Sequence, residues 1–272
     1  MQAESHEESN HAMRENGFRT LLNEGKPTLG TRLQSTLPIF TELIGRSGKF
    51  DYIEFLAEYA PYDLYALDNL GRTIELFPRF SGLIKMERSA QEHLATRAMA
   101  AGIQNLLFTD LRNKADAEEA IRIVRPEIPG SVGMHGMAGG RAAIGGVNAL
   151  SQSFKDAVIV VMIEKKGAIE DLEGILSVPG VDMVQFGPSD YSMSIGQADI
   201  PNAPPVVEAR EYMIKTALKM GVRPRAEINT AKEADYYLNL GVKDFCLSTD
   251  IGILSGFYKD QGGALRDMIS GV

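Results

Sequence analysis

A (β/α)8 barrel, the TIM barrel of the α/β class, is the fold that the sequence predicts, on three observations. Short apolar runs recur at intervals that each leave room for one helix, the intervening segments carry helical spacing, and nothing between residues 14 and 272 has the composition of a linker. The runs fall at 28–33, 52–56, 83–86, 103–108, 158–163, 183–186, 223–228 and 245–247. Each is nearly continuous in apolar residues, as a parallel strand covered on both faces requires. Helical patterns occupy 90–101, 115–124, 206–220 and 231–240.

Residues 1–13 are polar and aperiodic and are expected to be a disordered tail, with His6 and His11 as its solvated side chains. Residues 14–25 read as a helix with Phe18, Leu21 and Leu22 on one face, ended by Gly25 and Pro27, and placed to plug the bottom of the barrel. The remainder, 14–272, is expected to be one domain, a length ordinary for a single barrel at 44% apolar content.

Charge and composition exclude several classes. A net charge of −8 offers no basic excess for nucleic acid. The single cysteine, Cys246, allows no internal disulfide, and its apolar strand context makes it a core thiol. No apolar run is long enough for a bilayer, and the N-terminus lacks signal-peptide order, so no membrane partner and a cytoplasmic location are expected.

Chemistry is expected where strands end in carboxylates. Glu164 follows the apolar run at 158–163, and Asp190 closes Gly187-Pro188-Ser189-Asp190 after the run at 183–186. At the C-terminal mouth of a barrel these acids face the concave surface that such folds use for catalysis. Two hard oxygen donors suit a divalent cation, with water and substrate oxygens completing the shell. The plainer alternative is that Glu164 begins one helix and Asp190 caps the next. Gly187 permits close backbone approach, and Gly187, Pro188 and Ser189 read as a turn that presents backbone groups to a substrate carboxylate.

These motifs resemble those of the metal-dependent, class II pyruvate aldolases that cleave 2-keto-4-hydroxy acids, the HpcH/HpaI or hydroxy-oxo-heptanedioate aldolase family. The resemblance runs from Gly17 to the end and includes residues 25–30, 50–61 and 101–108, and Gly136 with Arg141. It implies a barrel of the phosphoenolpyruvate/pyruvate-domain type, Mg2+ or Mn2+ (with Co2+ possible) held by Glu164 and Asp190, and a small keto acid substrate. It also implies a homo-oligomer, a hexamer or trimer of dimers, with exchanged C-terminal helices.

Three positions depart from the family pattern. The family's Glu-His-Ala-Pro loop, with His as acid/base, is here Glu58-Tyr59-Ala60-Pro61; its substrate-binding Arg on the third strand is here Lys85; and the Asp supporting the His is here Ala100. Tyr59 thus becomes the candidate acid/base, with Lys85 supplying positive charge that favours its phenolate and gripping a substrate carboxylate as a point charge. Glu58 is expected to orient a metal-bound water or Tyr59, and Arg32, ending the first strand, to help bind the substrate. The plainer reading of Tyr59 is a pocket-lining aromatic. Lys85 has a second reading as a Schiff-base amine.

Two long loops remain. The Gly-rich segment 126–146 carries His135 and Arg141, with Arg141 a candidate clamp for a carboxylate and, more plainly, a solvated side chain. The Pro-rich segment 194–205 is expected to wall or cover the site. The activity expected is a retro-aldol carbon–carbon lyase working through a metal-stabilised enolate of a 2-keto or related oxo acid. The alternatives are a β-keto acid (oxaloacetate-type) decarboxylase and a non-catalytic ligand-binding barrel.

Overall fold

Among the described residues, eight parallel strands close into a barrel in sequence order: β1 (Thr28–Leu33), β2 (Tyr52–Leu56), β3 (Ser81–Met86), β4 (Asn105–Phe108), β5 (Ile159–Ile163), β6 (Met183–Phe186), β7 (Arg223–Ile228) and β8 (Asp244–Thr249). The computed structural model describes residues 14–137, 140–141, 146–198, 200 and 202–271, so the expected tail at 1–13 lies outside the described residues. Helix α1 (Gly17–Asn23) precedes the barrel. Around it run α2 (Pro38–Ser47), α3 (Leu64–Ile74), α4 (Gln91–Ala101), α5 (Lys114–Val124), α6 (Val147–Asp156), α7 (Lys166–Glu170), α8 (Leu172–Leu176), α9 (Pro188–Ser194), α10 (Pro204–Met220), α11 (Ala234–Asn239) and α12 (Asp250–Ser270).

Strand ends differ from the sequence reading where polar residues or caps intervene. β3 starts at Ser81, whose hydroxyl accepts the Phe18 amide. β4 starts only at Asn105, because the Ile103 amide is spent on the Ala98 carbonyl in closing α4.

Side-chain alternation sorts the barrel interior into layers. The lowest is apolar and is closed by α1: Phe18 packs with Tyr52, Leu83, Leu107, Val160 and Met183, its ring stacked 4.2 Å from that of Tyr52. A Cβ at Gly30 would lie 2.3 Å from the Tyr52 ring, so β1 can pass that ring only as glycine. Above lies a fully buried Arg225–Glu54 ion pair, with the Cys246 thiol 3.7 Å from Glu54. Burial pushes that thiol up to about 12, so it is a packed core group. Further along the strands the same alternation carries Arg32, Lys85, Gln185 and Glu227 inward, with Glu164 just past β5; this layer forms the mouth.

The loop at 126–146 corrects an expectation. It joins α5 to α6 on the way to β5, and its contacts lie at the N-terminal face, opposite the mouth. Its Arg141 holds Glu75 at 3.0 and 2.6 Å and the Ala101 carbonyl at 3.2 Å, close to the C-terminal ends of α3 and α4. His135 is buried, bonded through Nδ1 to the Ile123 carbonyl at 3.0 Å and packed on Phe154. Neither is available to a ligand at the mouth. Residues 138–139 and 142–145 of this loop lie outside the described residues.

Helix α12 projects a large apolar surface outward. Ile251, Ile253, Phe257, Tyr258, Leu265, Met268 and Ile269 are each more than half exposed, and Asp250 is its one buried residue among those described. Asp250 anchors the helix start by accepting the Gln34 and Ser35 amides.

Because Phe18 fills the barrel floor, Phe18→Ala is expected to lower the unfolding free energy by about 3–5 kcal/mol. Urea denaturation of the two proteins at equal concentration checks this.

Candidate active site

Three acids meet at the ends of three consecutive strands. Glu164 lies just beyond β5 and is 3% exposed. Its Oε1 accepts the backbone N–H of Asp110 at 2.7 Å, beyond β4. Asp110 has φ of 60°, a left-handed conformation that Asp tolerates better than most residues, and this turns its amide toward Glu164. Arg88 secures the turn through the Asp110 carbonyl at 2.9 Å. Asp190, beyond β6, sits in the first turn of α9. The Lys165 ammonium bridges the two outer acids, 2.7 Å from Asp110 Oδ1 and 3.0 Å from Asp190 Oδ1.

Neither acid takes the plain helix-capping role. Lys165 is the N-cap of α7 and Gly187 that of α9, while Glu164 turns inward. A Cβ at Gly187 would lie 2.6 Å from Glu164 Oε2, so glycine there keeps space beside that oxygen. Burial pushes the Glu164 carboxyl up to about 7, and the neighbouring Asp190 and Asp110 charges add to this against the pull of the Asp110 amide and Lys85.

The second half of the mouth comes from β2 and β3. Lys85 donates to the Tyr59 hydroxyl at 2.7 Å and lies 2.8 Å from Glu58 Oε2. Burial pulls the Lys85 ammonium down, but Tyr59, Glu58 and Glu227 outweigh it and the net direction is upward, so the lysine remains charged. A charged amine is not an imine-forming nucleophile, which removes the chemistry that the Schiff-base reading needs. Burial pushes the Tyr59 phenol up to about 12 despite Lys85. The ammonium pulls Tyr59 toward phenolate as expected, but loss of hydration outweighs it and Tyr59 keeps its proton at neutral pH.

Arg32 is at the mouth but engaged, with Glu227 Oε2 at 2.8 Å and the Ser248 carbonyl at 3.1 Å. Gln185 donates to the other Glu227 oxygen at 2.6 Å. The stretch from Gly187 is the start of a helix rather than an open turn: the Gly187 amide goes to the Ile163 carbonyl at 3.1 Å and Pro188 has no amide. Of these three, Ser189 is left with a backbone donor at the helix start. A cavity of about 190 Å3 opens beside this layer, with Arg32, Phe186, Pro188, Glu227 and Asn229 in its wall. A larger depression of about 700 Å3 lies along α4 and, of the side chains named above, meets only Arg88. The loop at 194–205 follows a strand–helix turn and so belongs to the mouth face; residues 199 and 201 lie outside the described residues.

Glu164 and Asp190 suit a hard cation as two protein ligands. Glu164 is buried with its charge disfavoured, its Oε2 accepts no hydrogen bond among the described residues, and glycine leaves room beside it. Among the described residues no three His, Cys, Asp or Glu side chains gather into a complete ligand set, so water and substrate oxygens would fill the rest.

Asp110, Lys165, Gln185 and Glu227 join the site without a motif in the sequence to mark them. Asp110 obeys the same strand-end rule as Glu164, two residues past β4. Gln185 and Glu227 show as polar residues at inward positions of strands that are otherwise buried.

The chain is similar to known proteins over most of its length. A family model described as "HpcH/HpaI aldolase/citrate lyase" matches residues 85–247, more than half of the chain. A 4-hydroxy-2-oxo-heptane-1,7-dioate aldolase of Shigella boydii is 27% identical over 89% of this chain and 91% of its own length. A hydroxypyruvate/pyruvate aldolase of Agrobacterium fabrum is 28% identical over 87% of this chain and 88% of its own. The crystal structure of an HpcH/HpaI aldolase/citrate lyase family protein from Burkholderia cenocepacia superposes with a TM-score of 0.84 at 24% identity, covering 93% of this chain and all of that one.

The raised Glu164 carboxyl has a consequence for stability. Its folded value of about 7 exceeds the ordinary 4.5, so its contribution is fully present below pH 4.5 and is lost as pH rises through 7. In metal-stripped protein, Glu164→Gln is expected to be more stable than the parent by about 3 kcal/mol at pH 8.5, the difference shrinking toward zero near pH 4.5. Chemical denaturation at the two pH values measures it.

Proposed function

Because the chain belongs to the HpcH/HpaI aldolase/citrate lyase family, we propose that it is a divalent-metal-dependent carbon–carbon lyase that cleaves a 2-oxo-4-hydroxy acid in the retro-aldol direction. The observation that carries the reading is the mouth itself, where buried Glu164 feels the Lys85 charge and Lys85 in turn links Glu58 to Tyr59. Glu164 and Asp190 are the proposed ligands of Mg2+ or Mn2+, with Co2+ a further candidate. The cation supplies Lewis-acid polarisation of the 2-oxo group.

The remaining work falls to the side chains. The Lys85 ammonium and the Ser189 amide orient the substrate carboxylate, and Arg32, fixed by Glu227, shapes the wall beside it. Glu58 takes the proton of the 4-hydroxyl, the C3–C4 bond breaks, and its electron pair passes to the 2-oxo group to give an enolate while the aldehyde leaves. The Tyr59 hydroxyl then protonates C3. The proton on Glu58 returns to Tyr59 through Lys85, which lies 2.8 Å from one and 2.7 Å from the other. One proton is thus moved from oxygen to carbon with none lost.

A second reading, decarboxylation of a β-keto acid, is favoured by one observation: with Tyr59 and Lys85 both protonated, the site is ready to quench an enolate without first removing a hydroxyl proton. Products separate the two readings, since an aldehyde with 2-oxo acid marks cleavage, whereas CO2 with 2-oxo acid and no aldehyde marks decarboxylation.

Metal-stripped protein is expected to leave the methyl signal of pyruvate unchanged in deuterated buffer, and restored Mg2+ or Mn2+ to bleach it. Glu164→Gln should abolish the exchange, and Tyr59→Phe should slow it by about 10²-fold or more. Proton NMR checks both; absence of exchange and of product with every metal, alongside measurable ligand binding, would leave a non-catalytic barrel.

The exposed face of α12 supports a homo-oligomer, with a hexamer or trimer of dimers as the proposed state, because so large an apolar surface on one helix is ordinarily covered. Phe257→Asp is expected to shift the protein to smaller species in light scattering.

A further inference from the structure

We propose that Lys165 is a tethered counter-cation of the acid cluster, competing with the divalent ion for Asp190 and thereby setting how tightly the protein takes its metal. The inference rests on the metal reading given above and adds a residue that none of its steps uses.

The argument begins with charge. Glu164, Asp110 and Asp190 converge from the ends of β5, β4 and β6, and the cation bonded within this group is Lys165. Its nitrogen lies 2.7 Å from an Asp110 oxygen and 3.0 Å from an Asp190 oxygen, between the two acids that flank Glu164. A hard divalent ion bonds such oxygens at about 2.0–2.6 Å. An ion held by Asp190 would draw on the same carboxylate that pairs with the ammonium, and their like charges would oppose each other there.

The side chain is built to yield. Lysine carries a compact charge on a flexible four-carbon stem, and the Lys165 side chain is 21% exposed, so solvent is within reach. Asp190, the acid it would release, is the more exposed of its two partners at 40% against 27% for Asp110. Asp110 stays anchored through its own backbone, by Glu164 on its amide and Arg88 on its carbonyl. The ammonium can accordingly keep Asp110 while giving up Asp190.

A merely structural bridge makes the opposite prediction. If Lys165 served to hold Asp110 and Asp190 in place for the metal, removing it would loosen a ligand and weaken binding. The sign of the change therefore decides.

The test is a Mn2+ titration of the chelator-treated full-length chain, with free Mn2+ read by electron paramagnetic resonance. Lys165→Met is expected to bind Mn2+ on the order of tenfold tighter or more than the parent. Lys165→Gln should behave likewise, as a polar variant that guards against a folding defect, and Lys165→Arg should stay near the parent because it keeps the charge. Adding Glu164→Gln to Lys165→Met should remove the tight site, placing the ion at this cluster. If the parent binds Mn2+ and neither Lys165→Met nor Lys165→Gln binds tighter, the proposal is overturned while the metal reading stands. If none of the proteins binds Mn2+, the metal reading itself fails and the proposal falls with it.

Discussion

The removal of the Glu164 carboxylate from water is the constraint on which the mouth of this barrel depends. A charge that has lost its hydration must recover it from fixed dipoles and counter-ions, or surrender its ionised form. Glu164 has one such dipole, the Asp110 amide, and its nearest carboxylates oppose it. Its neighbours follow from that imbalance. Asp110 adopts a left-handed backbone so that its amide can reach the carboxylate, Gly187 leaves out a side chain so that Oε2 keeps open space, and Lys165 offsets the two flanking acids. The need for further positive charge is thus built into the fold before any substrate arrives.

The barrel interior beneath is arranged so that charge pairs off by layer. Arg225 and Glu54 neutralise each other in the middle of the core, where neither meets solvent. Arg32 is matched by Glu227, which Gln185 also supports. A fully buried ion pair is a weak source of stability, because desolvation cancels much of its attraction. Its value here is positional: with Arg225 and Arg32 committed to their partners, Lys85 is the inward cation placed against Tyr59 and Glu58.

Two of the departures from the family pattern, Tyr59 and Lys85, form one connected change. A histidine titrates near neutrality and can serve as base and acid in turn. A phenol pushed up to about 12 beside a charged lysine begins each cycle protonated, and a carboxylate on the same lysine has to receive protons instead. Tyr59, Lys85 and Glu58 supply these roles as a chain, whereas Ala100 lies in the last turn of α4, on the face opposite the mouth, and takes no part in it. The altered set therefore favours giving a proton to carbon over taking one from oxygen, which is why decarboxylation stands as the alternative chemistry.

Periodicity alone determined the barrel, because buried parallel strands and the helices between them differ in length and spacing strongly enough to be read from apolar runs. The strand-end rule likewise identified Glu164 and Asp190, since the carboxyl end of a barrel strand is fixed by chain direction. The same chain direction placed the loop at 126–146 on the opposite face, and its Gly-rich composition misled only because composition carries no side of the barrel. What the tertiary structure decided were the partnerships: that Lys165 joins Asp110 to Asp190, that Arg32 is held by Glu227, that Arg141 closes two helix ends, and that Tyr59 keeps its proton. Each depends on which charges come within a few ångströms across different strands and on how much water remains there, and neither distance nor hydration is encoded in local sequence.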